Sequence, residues 1–317
     1  MNRLLPFDAL PELKHGMVAL PNAASFSDSF FTDTLTSYAQ GWRDPTNLEG
    51  MVNFMFPGVQ VGRRFEFRKF GKDDDFITET DDTRATGADF KRVKYDGEIT
   101  NSKTTNKGLT MIVDMDEVKD IPNWQELFTG RLLRRCKRND LYTAVTALQA
   151  GATLTAKTWN ASADPDSELI TLVNTSGDSI GFNPSRVLFL GNTWTKRLTA
   201  TRLSDKSGAF ASSALTTPDQ VAQYVGAEKG MYVSARIKSG SGKAKIGANN
   251  VIVFFAEDGA GPDDASNCKR FWTPCEGGGE YRVYVQELSP KLTAITVERY
   301  NIFTVCSTTG VIGHTIS

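Results

Sequence analysis

The sequence predicts an α+β fold that carries an extended two-stranded arm and is built around one long helix. Three observations predict it. From Val59 to about Glu117 the chain is strand-like but lacks a core: V-Q-V-G-R-R-F-E-F-R-K-F runs through charge-rich stretches to L-T-M-I-V-D-M-D-E. From about Pro122 to Ala150, Trp124, Leu127, Phe128, Leu132, Cys136, Leu141, Val145 and Leu148 recur at roughly helical spacing. Beyond Gly151, short helical patterns alternate with short apolar strands. A two-stranded ribbon is marginal alone in water, and a structureless loop of ~60 residues is uncommon inside a compact domain. The arm therefore reads as a long β-hairpin that lies on another molecule.

Taken in order, residues 1–50 are irregular except for a short helix from Ser27 to about Gln40. Ser25 or Ser27 is its N-cap, and Gly41 and Pro45 end it. The arm follows. Pro122 suits the first turn of the long helix and Gly151 its stop; at ~1.5 Å per residue that helix is ~40 Å long. Asp166 to Asn174 reads as a short helix and Arg186 to Leu190 as a buried strand. Asn192 caps a helix through Arg202, and Thr217 caps another from Pro218 to Val225. Met231 to Ile237 alternates as a half-buried strand, and Val251 to Phe255 is fully apolar. Tyr281 to Glu287 and Ala294 to Val305 are strands, with Gly/Ser loops or hairpin tips at 239–243 and 276–279.

Composition bounds the function. A chain of 317 residues can bury a sizeable core in one elaborated domain or two. A hydrophobic fraction of 40% with 19 Phe and 5 Trp argues against global disorder. Lys and Arg number 36 against 37 Asp and Glu, and a net charge of −1 argues against a dedicated nucleic-acid binder, though a protein that merely faces packaged DNA needs no basic excess. The apolar run after Met1 is cut by Pro6 and Asp8, too early for a signal peptide, and no 18 consecutive residues are apolar, so neither a leader nor a membrane partner is expected. Cys136, Cys268, Cys275 and Cys306 are spread without zinc-site spacing and read as reduced, mostly buried thiols of a cytoplasmic protein.

Enzyme signatures are weak, and no cofactor or metal is expected. His15 and His314 lie near the termini and read as incidental surface residues. Neither G-x-S-x-G nor H-E-x-x-H occurs. Ser239-Gly-Ser-Gly-Lys243 has part of a phosphate-loop pattern, but Ile237 stands where its first glycine is needed and Ala244 where Ser or Thr is; a hairpin tip is the better reading. Asp258, Asp263 and Asp264 lack EF-hand spacing. A hydrolase using scattered carboxylates needs no fixed spacing and stays open as an alternative of another class. Arg131, Arg134, Arg135, Lys137 and Arg138 form a basic cluster on the long helix, while the arm carries Asp73, Asp74, Asp75, Asp81 and Asp82. Either the cluster is a solvated helix face, or these acids and bases meet between neighbouring subunits; a position facing DNA phosphates is a third reading. Phe65 and Phe67 alternate at the base of the arm and are expected to anchor it.

Three stretches carry a resemblance. Tyr38-Ala-Gln-Gly-Trp42 leads into Leu48-Glu-Gly-Met-Val-Asn-Phe-Met-Phe-Pro-Gly-Val-Gln-Val61; Pro184-Ser-Arg-Val-Leu-Phe-Leu-Gly-Asn-Thr-Trp-Thr-Lys-Arg-Leu198 reads strand–Gly–helix; and Asn250-Val-Ile-Val-Phe-Phe-Ala-Glu257 precedes the aromatic pair Phe271-Trp272. In this order, around an arm and a long helix, the chain resembles tailed-bacteriophage major capsid proteins of the Hong Kong 97-like fold. The resemblance implies an N-arm and lead-in over 1–55, an E-loop hairpin over 56–120 and a peripheral domain with its spine helix over 121–158. It further implies an axial domain over 159–275 and, over 276–317, C-terminal strands that close the sheets. It implies assembly into hexamers and pentamers of an icosahedral virion shell around double-stranded DNA, built in the host cytoplasm, with portal, scaffolding and in some cases decoration proteins as partners. No long charged helical segment precedes the N-arm, so a separate scaffolding protein is expected; Lys72, Lys103 and Lys107 lie on the arm, without a motif that assigns them cross-links. Within the same fold, an encapsulin-like nanocompartment shell is the alternative.

Overall fold

The computed structural model of the chain describes residues 32–69, 82–84, 86, 89–90, 98–204, 217–259, 261, 264–276 and 278–317. Helix α1 (Asp33–Gly41) buries Leu35, Thr36 and Ala39; it starts later than the expected Ser27, because Thr32 has an extended backbone (φ −119°) and is its N-cap, while Ser25 and Ser27 themselves lie outside the described residues. A second helix, α2 (Leu48–Met55), was not expected. It buries Leu48, Met51, Val52 and Met55, an i, i+3, i+4, i+7 face that eight residues suffice to form. Strand β1 (Gly58–Gln60) follows, then β2 (Arg64–Lys69), β3 (Glu98–Lys103) and β4 (Thr105–Asp114).

The arm ends earlier along the chain than the expected Glu117. Of the arm's strands, only β2 and β3 among the described residues form a ribbon of their own, paired antiparallel from Arg64↔Lys103 to Lys69↔Glu98. β4 instead belongs to a sheet, with Val113 buried and Leu109 and Met111 packed on a core cluster. Leu109, Met111 and Val113 alternate, which gives β4 an apolar face at the strand period of two. After the single turn α3 (Met115–Val118) comes the long helix α4 (Trp124–Gly151). Asn123 sits in the left-handed region (φ 56°) as its N-cap, so Pro122 precedes the helix rather than occupying its first turn. The predicted stripe is buried except at Leu127, which is exposed, and at Trp124 and Phe128, which are half-buried.

Next come β5 (Thr153–Lys157), α5 (Pro165–Ile180), β6 (Arg186–Phe189), α6 (Thr193–Ser204), α7 (Pro218–Tyr224), β7 (Lys229–Tyr232), β8 (Arg236–Ser239), β9 (Gly242–Lys245) and β10 (Asn250–Phe254). α5 outruns the expected end at Asn174 because nothing in 175–180 breaks it. The Thr171, Thr175 and Ser179 hydroxyls donate to carbonyls four residues back, and the helix stops only at Gly181, whose φ of 89° suits a left-handed C-cap. Thr217 caps α7 as predicted, in a reciprocal box with Gln220. The expected strand Met231 to Ile237 is two: β7 pairs parallel with β6, and β8 turns into a hairpin with β9.

β11 (Cys268–Thr273), β12 (Tyr281–Ser289), β13 (Leu292–Val305) and β14 (Ile312–Ile316) complete the chain. The first sheet runs β1-β11-β13-β12, and β4 takes the other edge of β13 over ten residue pairs, from Thr105↔Asn301 to Asp114↔Leu292. α1 and the first half of α4 cover one of its faces through Leu35, Ala39, Leu132, Leu133, Ile295 and Val297. The second sheet runs β5-β14-β10-β6-β7. α5, α6 and α7 cover one of its faces through Leu169, Val173, Trp194 and Val221; α2 and the second half of α4 cover the other through Met55, Leu141, Val145 and Leu148. α4 thus joins both sheets. His314 is no surface residue: it sits buried on β14, its Nδ1 2.6 Å from the Thr155 hydroxyl. His15 lies outside the described residues.

Candidate assembly surface

The site is built outward from the root of the arm. α2 ends where the chain turns toward β1, leaving carbonyls without helical partners. Arg186, alone among apolar residues on β6, supplies the donors: its Nη1 donates to the Asn53 carbonyl (3.1 Å) and to the Phe54 carbonyl, and its Nη2 to Asp258 Oδ1 (2.6 Å). Lys229 also pairs with Asp258. That hydrogen bond, followed by the Arg186 charge, holds the Asp258 carboxyl below its usual range against some burial. From the first sheet, Arg270 reaches Asn53 Oδ1 (3.4 Å) and pairs with Glu280. Both sheets therefore grip the residue that precedes the arm.

The ribbon is pinned at its base by aromatic rings. The centroids of Phe65 and Phe67 lie 4.5 and 5.2 Å from that of Phe271 on β11, in a small core with Val59 and Cys306. Beside this root, the open face of the first sheet carries a polar cleft of about 460 Å³. Glu298 organises it, accepting from Asn106 Nδ2 (2.6 Å), Tyr284 Oη (2.7 Å) and Tyr300 Oη (2.7 Å), while the Arg63 guanidinium lies 5.2 Å above the Tyr300 ring. Burial, reinforced by the hydrogen bond to Glu298, pushes the Tyr300 hydroxyl up to about 12.

The predicted contact residues divide. Phe65 and Phe67 pack on Phe271 of their own chain at the ribbon base, as expected of its anchor, with Phe65 left partly exposed. Asp82 is exposed, whereas Asp73, Asp74, Asp75 and Asp81 lie outside the described residues. On α4, Arg131, Arg135 and Arg138 face solvent. Arg134 is half exposed and donates to Asp44 Oδ1 (3.2 Å). Lys137 does not belong to an exposed cluster. It is buried, pairs with Glu49 at 2.5 Å and stands 5.2 Å over the Trp42 ring. Four residues after the fully buried Leu133, it falls on the helix face turned to the protein. Arg186, Asn53, Asp258 and Glu280 were missed; an arginine inside the otherwise apolar strand Arg-Val-Leu-Phe was the legible signal.

The described residues include no group of three or more His, Cys, Asp or Glu placed to hold a metal ion, and no helix among them is long and apolar enough to cross a membrane. The four cysteines are unpaired and buried, and burial raises each thiol, Cys275 and Cys306 to about 12, which suppresses the thiolate.

No protein-family model matches the sequence, and no curated protein is similar to it. Solved structures are similar in fold. A phage-related protein from Bordetella bronchiseptica RB50 superposes with a TM-score of 0.67 at 17% identity, covering 90% of this chain and 96% of that one. A chain of the capsid structure of cyanophage P-SCSP1u gives 0.52 at 8% identity over 98% and 94% of the two chains. A structure from Gordonia phage Cozz gives 0.52 at 14% identity over 88% and 90%. The chain has the Hong Kong 97-like capsid fold.

Proposed function

We propose that this chain is the non-enzymatic major capsid protein of a tailed phage, whose copies form hexamers and pentamers of an icosahedral head around double-stranded DNA. The observation that carries the proposal is the ribbon. β2 and β3 pair only with each other among the described residues, and their base is pinned to the first sheet by Phe65 and Phe67 on Phe271. A fixed root with an open two-stranded extension is suited to lying on a neighbour, in rings closed by head-to-tail contacts. On this reading 1–55 is the N-arm and lead-in and 56–120 the E-loop with its flanking sheet strands. Residues 121–158 carry the peripheral domain, 159–275 the axial domain, and 276–317 the closing strands. Scaffolding, portal and decoration proteins are its partners in the host cytoplasm, and the virion is its destination.

Electron microscopy and sedimentation of the purified protein test this. Capsomers or megadalton shells are expected; a small oligomer without shells refutes it. Shells holding co-purifying protein instead of nuclease-protected DNA convert the reading to a nanocompartment.

A further inference from the structure

The β8–β9 hairpin concentrates charge in a way its own fold does not reward. Between Glu228 and Glu257 the chain carries five cations and no acid, within a sequence of net charge −1. Lys229 is paired with Asp258; the other four are Arg236, Lys238, Lys243 and Lys245. The register sets Arg236 opposite Lys245 and Lys238 opposite Lys243. Residues directly opposite in an antiparallel pair share a face, and like charges there are destabilising. The alternate positions face inward: Ile246 is fully buried, and Ala235 and Ile237 pack on the main core. The four cations therefore share the outer face, about 5 Å apart across the strands and about 7 Å apart along them. None of the four makes an ion pair with a described carboxylate; Lys245 only stands 5.2 Å over the Tyr232 ring.

We infer that this face binds the sugar–phosphate backbone of duplex DNA. The inference rests on the shell reading only for where the DNA is met. Duplex DNA is the anion of matching density, with one charge per ~3.4 Å of axis on each strand. The turn favours phosphate over a carboxylate run. Ser239, Gly240, Ser241 and Gly242 are exposed; Gly240 has φ 57°, and a Cβ built on it would meet no other atom within 4 Å, so backbone and hydroxyls are open to a phosphate oxygen. All four cations lie on one face of a short two-stranded hairpin, the arrangement of a phosphate-backbone contact.

The test is fluorescence anisotropy of a labelled duplex of about 30 base pairs titrated with the full-length protein at several salt concentrations. Four neutralised phosphates at about −0.9 each predict a log–log slope of about −3.6, roughly 150-fold weaker binding from 50 to 200 mM salt. K238Q/K243Q should halve the slope to about −1.8, roughly 12-fold, and R236Q/K245Q should do the same. R134Q/R135Q should leave it unchanged. An unfolding midpoint equal to or above wild type establishes that the variants fold. No DNA binding by the wild type overturns the inference. So does a slope that the hairpin variants do not move, or hairpin-dependent binding of a peptide spanning 72–82 with the DNA slope unmoved. Micrographs of the same preparations separate the two readings: hairpin-dependent DNA binding without shells sinks the capsid assignment alone, and shells with a variant-insensitive slope sink the hairpin assignment alone.

Discussion

Replacing Phe67 with alanine should free the arm without unfolding the body. Phe67 is 2% exposed, and its ring lies 5.2 Å from that of Phe271. Phe271 belongs to β11, so truncating it would loosen the first sheet as well; Phe67→Ala removes the contact from the ribbon side alone. Burial of this kind is worth about 3–5 kcal/mol on truncation to alanine. The ribbon has six residue pairs and no other pairing strand among the described residues, and such a unit is marginal without its anchor. At about 1.36 kcal/mol per decade, a loss of about 3 kcal/mol accelerates local opening by roughly 100-fold, or to the limit set by the open chain. Hydrogen exchange read by mass spectrometry should show this acceleration in peptides covering β2 and β3, with β4 and β13 within about threefold of wild type. Phe90→Ala, at a position 73% exposed, is the control and should change neither. Equal acceleration in ribbon and sheets, or none in the ribbon, would show that Phe67 does not anchor a separable arm.

Asp140→Asn should lower stability by about 3–5 kcal/mol, read as a shift of the urea midpoint, because it strands the buried Arg299 that Asp140 holds at 2.8 Å. His314 makes stability pH-dependent. Burial holds its folded pKa below the ordinary 6.5, with Glu168 opposing and Lys157 assisting. The unfolded chain therefore binds the proton more readily, and stability present above about pH 6.5 is lost as the pH falls below it. The urea midpoint should drop between pH 7.5 and 5.5, and His314→Gln should flatten that drop. Arg134→Glu with Arg135→Glu should leave the monomer folded, since the Arg134 end of its pair with Asp44 is half exposed and Asp44 keeps its Thr46 hydrogen bond, yet it should block or weaken shell formation. Normal shells in micrographs of that variant would exclude these bases from the subunit contact.

What the sequence disclosed was local. The α4 stripe and the Thr217-Pro-Asp-Gln220 cap are periodicity and capping chemistry written within a few residues, and both appear in the structure. What it concealed depends on distant partners. β4 looked coreless because its apolar face meets α1 and α4 only after pairing with β13, nearly 200 residues on. Lys137 looked like one more surface base, but the helix phase that buries Leu133 also turns Lys137 toward Glu49. His314 stood three residues from the last one, where surface exposure is the usual expectation, yet β14 lies between β5 and β10. In each case the composition of the segment was compatible with either environment, and a long-range pairing decided.

The placement of charge at the arm root follows from what an arm needs. Apolar contact is non-directional and would hold α2 in place without fixing the line along which the chain leaves it. A guanidinium presents its donors in a rigid fork, so Arg186, bridging two carbonyls of α2 and Asp258, constrains orientation as well as distance. Arg270 does the same from the other sheet through the side chain of Asn53. Desolvating such groups is expensive, and isosteric apolar packing often serves stability as well or better, so a gain in stability does not account for them. Leverage does. Strands of six residues, as β2 and β3 are, extend about 20 Å at about 3.3 Å per residue. A tilt of about 10° at the root displaces their far end by roughly 3.5 Å, more than the working range of a hydrogen bond. Arg186 and Arg270 fix the line on which the chain leaves α2 for β1, and Phe65 and Phe67 on Phe271 then fix the ribbon itself, so a ribbon proposed to meet a neighbour in register is held in orientation at both steps.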